Sequence, residues 1–259
     1  MKAGARDRSS RAAAPAAVWL TGRHAVSSAL ERGRVRRLAI LEDGRGLDPL
    51  AKAAAAHGLA VERLPRRALD TLVGGDAQGC AALVDPLRPV SLDELLAGLS
   101  QRRRALLVAL DHIQDPHNLG AVARSADAAG AAGLVLPERR AAGVTGAAER
   151  ASAGALQCLP LAEVHNLVLA LERCQKAGFW IYGSAPDGEV EYTRADFAAR
   201  SVLVIGAEER GLSALVRRRC DRVLRLPMYG QVQSLNASVA AALLMYEWAR
   251  SVPPDPPVH

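Results

Sequence analysis

The chain has 259 residues, half of them apolar but only 3% aromatic, so Ala, Leu and Val must build any core. That length suits one large domain or two smaller ones, and its longest apolar runs (105–110, 202–205, 240–246) are far too short for a membrane span. The net charge of +6 is unevenly spread: residues 1–104 hold 18 Lys/Arg against 11 Asp/Glu, and residues 105–259 hold 15 against 16.

A basic region beside a neutral one suits a division between polyanion capture and chemistry, and it equally suits a solvated Arg-rich face. Lys2, Arg6, Arg8, Arg11 and Pro15 in the first 17 residues read as a basic disordered tail rather than a signal peptide, which points to a cytoplasmic protein. Cys80, Cys158, Cys174 and Cys220 form no C-x-x-C pair, and the six histidines form no H-E-x-x-H, so neither a zinc module nor a disulfide framework is expected. His112 and His117 flank a D-P turn and suit ordinary loop hydrogen bonding.

In chain order, 19–33 reads as a capped helix with Ala25, Val26, Ala29 and Leu30 on one face. A strand over 37–41 follows, then an Ala-rich helix over 49–57, a strand over 59–64, a helix over 66–73 closed by Gly74-Gly75, and a strand over 78–84. This is a small α/β unit. Residues 85–104 read as a linker with a short helix at 91–99.

The second half restarts with a buried strand over 105–110 ending in Asp111, a polar loop, and a helix over 119–129. Strands at 133–136, 158–161, 179–184, 202–205 and 223–226 alternate with helices at 143–155, 166–177 and 213–219. The final stretch, 231–247, opens polar with Ser234, Asn236 and Ser238 and turns apolar, as a helix does when its N-terminus lies at a site and its body in a core. Alternating strands and helices predict an α/β fold with a mostly parallel, doubly wound sheet that binds ligands at the carboxyl ends of its strands.

Three loops at such ends carry unusual polar sets. In D-P-H-N-L-G-A-V-A-R (115–124), Arg124 is either a snorkelling surface group or a site cation. In I-G-A-E-E-R-G-L (205–212), two glycines bracket Glu208, Glu209 and Arg210, without the Lys-Ser/Thr of a P-loop. In L-P-M-Y-G-Q-V-Q-S-L-N (226–236), Ser234 and Asn236 serve either as helix caps or as site groups. The three can meet only if their strands lie side by side.

These motifs, in this order, resemble those of the SpoU/TrmH family of the SPOUT superfamily, the trefoil-knotted RNA ribose 2′-O-methyltransferases. T-G-R-H-A-V at 21–26 and Q-G-C-A-A-L-V at 78–84 resemble the ends of an L30e-like substrate-binding domain. That pairing is typical of the 23S rRNA guanosine-2′-O-methyltransferase branch.

The resemblance implies a tail at 1–17, an L30e-like RNA-binding domain at 18–88, a linker at 89–104, a knotted methyltransferase domain at 105–252 and a tail at 253–259. It further implies S-adenosyl-L-methionine as methyl donor, 23S rRNA as substrate with tRNA or a resistance-type rRNA target as the alternative, and a homodimer. A non-catalytic RNA-binding or ribosome-assembly factor is a further alternative. No metal or membrane partner is implied. Gly206, Leu226 and Leu235 match the cofactor positions; Asn118, Arg124, Glu208, Ser234 and Asn236 match the polar catalytic set. Asn118 would orient Arg124 on the 2′-hydroxyl. Arg23, Arg36 and Arg37 are candidate RNA contacts in the first unit. Glu209 and Ala207 depart from the commoner Gly and Asn.

Overall fold

The computed structural model describes residues 17–138, 141–208 and 210–253. Glu209 and all but one residue of each expected tail fall outside that set. The first unit runs β1 (Val18–Thr21), α1 (Arg23–Glu31), β2 (Val35–Leu41), α2 (Asp48–Ala56), β3 (Val61–Leu64), α3 (Arg66–Val73) and β4 (Cys80–Val84). Its sheet has the order β1-β4-β2-β3, with β2 and β3 parallel and both pairings of β4 antiparallel. Helix α1 buries Ala25, Val26, Ala29 and Leu30, as their spacing requires.

The expected side-chain cap of that helix is absent. The V-W-L-T run before it is a strand paired with β4, and the N-cap is Gly22 at φ 89°. Sheet pairing of an apolar, β-branched run overrides the local helical signal here.

Helix α4 (Leu92–Gly98) starts at a capping box in which Ser91 Oγ accepts from the Glu94 N–H and the Glu94 carboxylate accepts from the Ser91 N–H. The second unit follows as β5 (Ala105–Asp111), α5 (Pro116–Ala128), β6 (Gly133–Pro137), α6 (Gly146–Ala151), α7 (Ala155–Cys158), β7 (Leu161–Val164), α8 (Leu167–Lys176), β8 (Trp180–Ser184), β9 (Val190–Glu191), β10 (Arg200–Gly206), α9 (Ala214–Arg217), β11 (Arg222–Arg225) and α10 (Ala237–Ser251).

All the pairings of its seven strands are parallel, in the order β7-β6-β5-β10-β8-β11-β9. From β5 the chain winds first towards β7, then restarts on the other side of β5, which places a topological switch between β5 and β10. Two apolar clusters sandwich the sheet; Trp248 and Met245 of α10 belong to one, Leu92 and Leu95 of α4 to the other. The stretch expected as a linker is thus fastened to this unit. Its Val90 N–H also bonds Leu161 O at 2.9 Å along the edge of β7.

Two further expected elements differ. The helix over 143–155 is split into α6 and α7 by Ala153 (φ 49°) and Gly154 (φ 92°). Cys158 ends α7 instead of opening a strand, and β7 starts after Pro160, where Leu161 pairs with Leu134. The split lets the two units meet: a Cβ on Gly154 would lie 2.6 Å from Ala25 Cα, so only glycine allows α1 and α7 so close. Ser28 Oγ lies 2.7 Å from Cys158 Sγ, and Arg32 donates to Cys158 O at 3.1 Å. Beside this seam Glu149 is only 1% exposed. Its Oε1 accepts from Gln157 Nε2 at 2.6 Å, while Glu149 Oε2 and Gln157 Oε1 have no partner among the described residues.

Candidate active site

The three polar loops converge at the carboxyl ends of the strands, but not from strands lying side by side. β5 and β10 are neighbours, whereas β8 separates β10 from β11. Residues 226–236 therefore double back across the end of β8 to reach the other two loops.

Glu208 is the centre of the cluster. Its Oε1 accepts from Asn236 Nδ2 at 2.6 Å, from Asn118 Nδ2 at 3.1 Å and from the Ala237 N–H at 3.2 Å. Asn236 Nδ2 also reaches Asn118 Oδ1 at 2.9 Å. Its own Oδ1 accepts from the Ser238 N–H at 2.9 Å and from Ser238 Oγ at 2.6 Å, which makes Asn236 the N-cap of α10. Capping and site membership coexist in one side chain, which uses its oxygen for the helix and its amide hydrogens for the cluster.

Local sequence explains how each part is held. Asp115 caps α5 by accepting from the His117 N–H at 2.8 Å, with Pro116 in the first turn, and so presents Asn118 at the helix start. The loop after β10 folds tightly on itself: Gly211 N bonds Ala207 O at 2.7 Å, and a Cβ on Gly206 would sit 2.2 Å from the Gly211 carbonyl carbon. Buried Asp111 fastens that loop to β5, with Oδ2 accepting from the Ser213 N–H at 2.7 Å and Oδ1 lying 2.6 Å from His112 Nδ1. His112 thus has the loop role expected of it, while His117 contributes its backbone N–H.

Beside the cluster lies a cavity of about 260 Å³. Gly206, Leu226 and Leu235 line it, together with Glu208 and Ser234. Its lining combines apolar Ile205, Leu212 and Met228 with charged Asp187, Glu208, Arg210 and Arg217, a mixture that suits a small organic molecule fixed by a few polar groups. On the rim Arg217 donates to Asp187 Oδ1 at 2.7 Å. That bond holds the Asp187 carboxyl below its ordinary range and Arg217 above its own. The sequence reading missed this rim, which the S-A-P-D loop after β8 contributes. The same rule that selected the other three loops, polar residues leaving the carboxyl end of a strand, applies to it.

Arg124 does not join the cluster. Six residues along α5 from Asn118, it points about 120° away around the helix, exposed and with no ion pair or hydrogen bond among the described residues. The expectation that Asn118 orients it is corrected accordingly, because the Asn118 amide is taken up by Glu208 and Asn236. Ser234 faces the cavity without a side-chain hydrogen bond among the described residues.

In the first unit Arg23 donates to Arg45 O at 2.8 Å and Arg36 pairs with Asp85. Arg37 grips Glu62 through two bonds of 3.0 and 3.1 Å while lying over Trp19. Exposed pairs of this kind contribute little stability, so they leave these guanidinium groups open to exchange for phosphate.

Residues 105–246 match the model of the SpoU rRNA Methylase family, and residues 19–90 match the model for RNA 2′-O ribose methyltransferase substrate binding. A TrmH family tRNA/rRNA methyltransferase of Staphylococcus epidermidis is 37% identical over 234 residues, covering 89% of this chain and 94% of its own. The similarly described YacO of Bacillus subtilis is 41% identical over 195 residues, covering 75% and 78%. Among solved structures, the SpoU methyltransferase AviRb from Streptomyces viridochromogenes has a TM-score of 0.74 at 27% identity over 91% of this chain and 90% of its own. AviRb in complex with the cofactor AdoMet has a TM-score of 0.71 at 29% identity, over 90% and 89%. With residues 105–246 on the family model and residues 19–90 on the substrate-binding model, the chain belongs to the SpoU rRNA methylase family, the RNA 2′-O-ribose methyltransferases.

Proposed function

We propose that this protein methylates the 2′-hydroxyl of a guanosine ribose in 23S rRNA, with S-adenosylmethionine as donor, as a cytoplasmic homodimer. The observation that carries the reading is the position of the Glu208–Asn118–Asn236 cluster at the mouth of the cavity lined by Gly206, Leu226 and Leu235.

The cavity fits the donor: apolar Ile205, Leu212, Leu226 and Met228 line it together with polar Glu208, Gln233 and Ser234, and Gly206 lets the two arms of its loop close beside it. Bound there, S-adenosylmethionine supplies a methyl group on a positively charged sulfur. Gly206, Leu226 and Leu235 hold it, largely through backbone groups. Glu208 fixes the two asparagine amides that face the incoming ribose, and Ser234 presents its hydroxyl to the cavity between them and the donor. Arg124, outside the cluster on another face of α5, stabilises the negative charge that grows on the 2′-oxygen while the hydroxyl proton passes to water; a guanidinium is already protonated and has no lone pair with which to take that proton itself.

The basic surplus of residues 1–104 supports RNA capture by residues 18–88, with Arg23, Arg36 and Arg37 as phosphate contacts and residues 105–252 as the methyltransferase domain. Val239, Leu243 and Tyr246 form an exposed apolar stripe along α10, on spacings of four and three residues, which suits a second copy of the chain.

Tritium transfer onto unmodified 23S rRNA, 16S rRNA and tRNA transcripts, with the modified nucleotide mapped, tests the substrate. A 23S guanosine is expected; sole labelling of tRNA or 16S rRNA would overturn that part of the reading. Light scattering should give twice the chain mass.

A further inference from the structure

The loop that doubles back across β8 has two sides. Leu226, Met228, Gln233, Ser234 and Leu235 line the cavity. Between them, 229–232 forms an outward tip on which Tyr229 is 92% exposed and Val232 65% exposed. A tyrosine ring ordinarily covers apolar surface with most of its area, so leaving one almost wholly in water asks for an explanation. In a chain with four tyrosines, three tryptophans and two phenylalanines, an aromatic ring set beside the active site is also rare.

The loop carries no charged residue from 226 to 236, and so offers a ring without a repelling carboxylate beside it. On the same rim stands Arg210, exposed and with no ion pair or hydrogen bond among the described residues, whereas nearby Arg217 is committed to Asp187.

We infer that Tyr229 and Arg210 form a receiving clamp for the RNA nucleotide next to the methylated ribose: its unstacked base lies on the Tyr229 ring and its phosphate on the Arg210 guanidinium. An A-form helix displays its 2′-hydroxyls all along the minor groove, so choosing one ribose among them calls for a single-stranded target whose neighbouring base is splayed out. Exposed aromatic faces and unpaired guanidinium groups are the chemistry that holds splayed RNA. Val232 extends the apolar side of the platform. The inference rests on RNA methylation at this site and not on which RNA is methylated.

The test is RNA affinity by filter binding, on in vitro transcribed 23S rRNA and on a tRNA transcript, with S-adenosylmethionine affinity measured by calorimetry. Tyr229→Ala should weaken binding of the preferred RNA by about five- to a hundred-fold, the range for losing one base–aromatic stack. Tyr229→Phe and Tyr229→Trp should keep wild-type affinity, because the ring and not the hydroxyl is used. Arg210→Gln should lower the slope of log affinity against log salt by about 0.7, the value for one single-strand phosphate.

Tyr229→Ala within twofold of wild type on both RNAs would overturn the clamp. So would loss of cofactor affinity, which would place the ring in the cavity, or conversion of the variant to a monomer, which would place it in a subunit contact. An error in the substrate reading gives a different pattern, since it moves the wild-type preference between the two RNAs while the variants still differ from wild type.

Discussion

Asn236 Nδ2 lies 2.6 Å from Glu208 Oε1, so the residue that starts the last helix is held by the loop after β10. The same oxygen takes three donors, and removing it releases the α5 loop, the α10 start and the cofactor loop together. Glu208→Ala should therefore lower single-turnover methyl transfer by about a hundredfold, the cost of misplacing a site by an ångström or so. Glu208→Gln keeps an acceptor and should fall between Ala and wild type. Rapid-quench assays at saturating S-adenosylmethionine and RNA check both.

Arg124 is exposed and without an ion pair or hydrogen bond among the described residues, so its replacement should not disturb folding. Arg124→Ala should keep the wild-type melting temperature and cofactor affinity while losing about 100- to 1,000-fold in single-turnover rate, the scale of removing one group that stabilises a developing oxyanion. Near wild-type methylation would remove Arg124 from the mechanism.

Gly206 has no room for a side chain: a Cβ would meet Gly211 and Leu212 backbone atoms at 2.2 to 2.6 Å. Those atoms belong to the far arm of the same loop, so Gly206→Ala must push the arms apart and open the Ala207–Gly211 bridge. The expected result is loss of S-adenosylmethionine binding by calorimetry, while far-ultraviolet circular dichroism stays native.

Burial pushes the Glu149 carboxyl above its ordinary range, against the opposing pulls of Gln157 and Arg34. A carboxyl that binds its proton more tightly when folded destabilises the fold as pH rises from the unfolded-state value through the folded one. Glu149→Gln should accordingly raise stability at pH 8 by roughly 1–3 kcal/mol, the cost of a buried unsatisfied acceptor. The gain in melting temperature should shrink as pH falls towards the ordinary carboxyl value of 4.5. Thermal melts of both proteins across this range show the sign.

Strands and helices with clean periodicity were legible in the sequence: the buried face of α1, the limits of α3 and the apolar run of β5 up to Asp111 follow from spacing and composition. The three site loops were singled out by their polar sets at the ends of apolar strands. Gly, Asn and Ser suit turns and caps equally well, so reading them as one site rested on the resemblance of the three motifs in order. What was not legible depends on contacts distant in sequence. β1 is a strand because β4 lies beside it, and the 143–155 helix breaks because α1 packs against Gly154. The place of β8 between β10 and β11 is likewise invisible to periodicity, and it carries with it the missed rim at Asp187 and Arg217. The orientation of Arg124 depends on its turn of α5, which the motif spacing alone leaves open.

The bond between Asn236 and Asn118 joins residues 118 positions apart, and that between Asn236 and Glu208 joins residues 28 apart. Contacts of such long range form late, because the loops they close cost entropy before any bond repays it. The doubling back of 226–236 over β8 means that β8, β10 and β11 must already be paired before the cluster can exist. Methyl-donor affinity should thus be the last property a refolding chain recovers, after its secondary structure and its apolar clusters have returned.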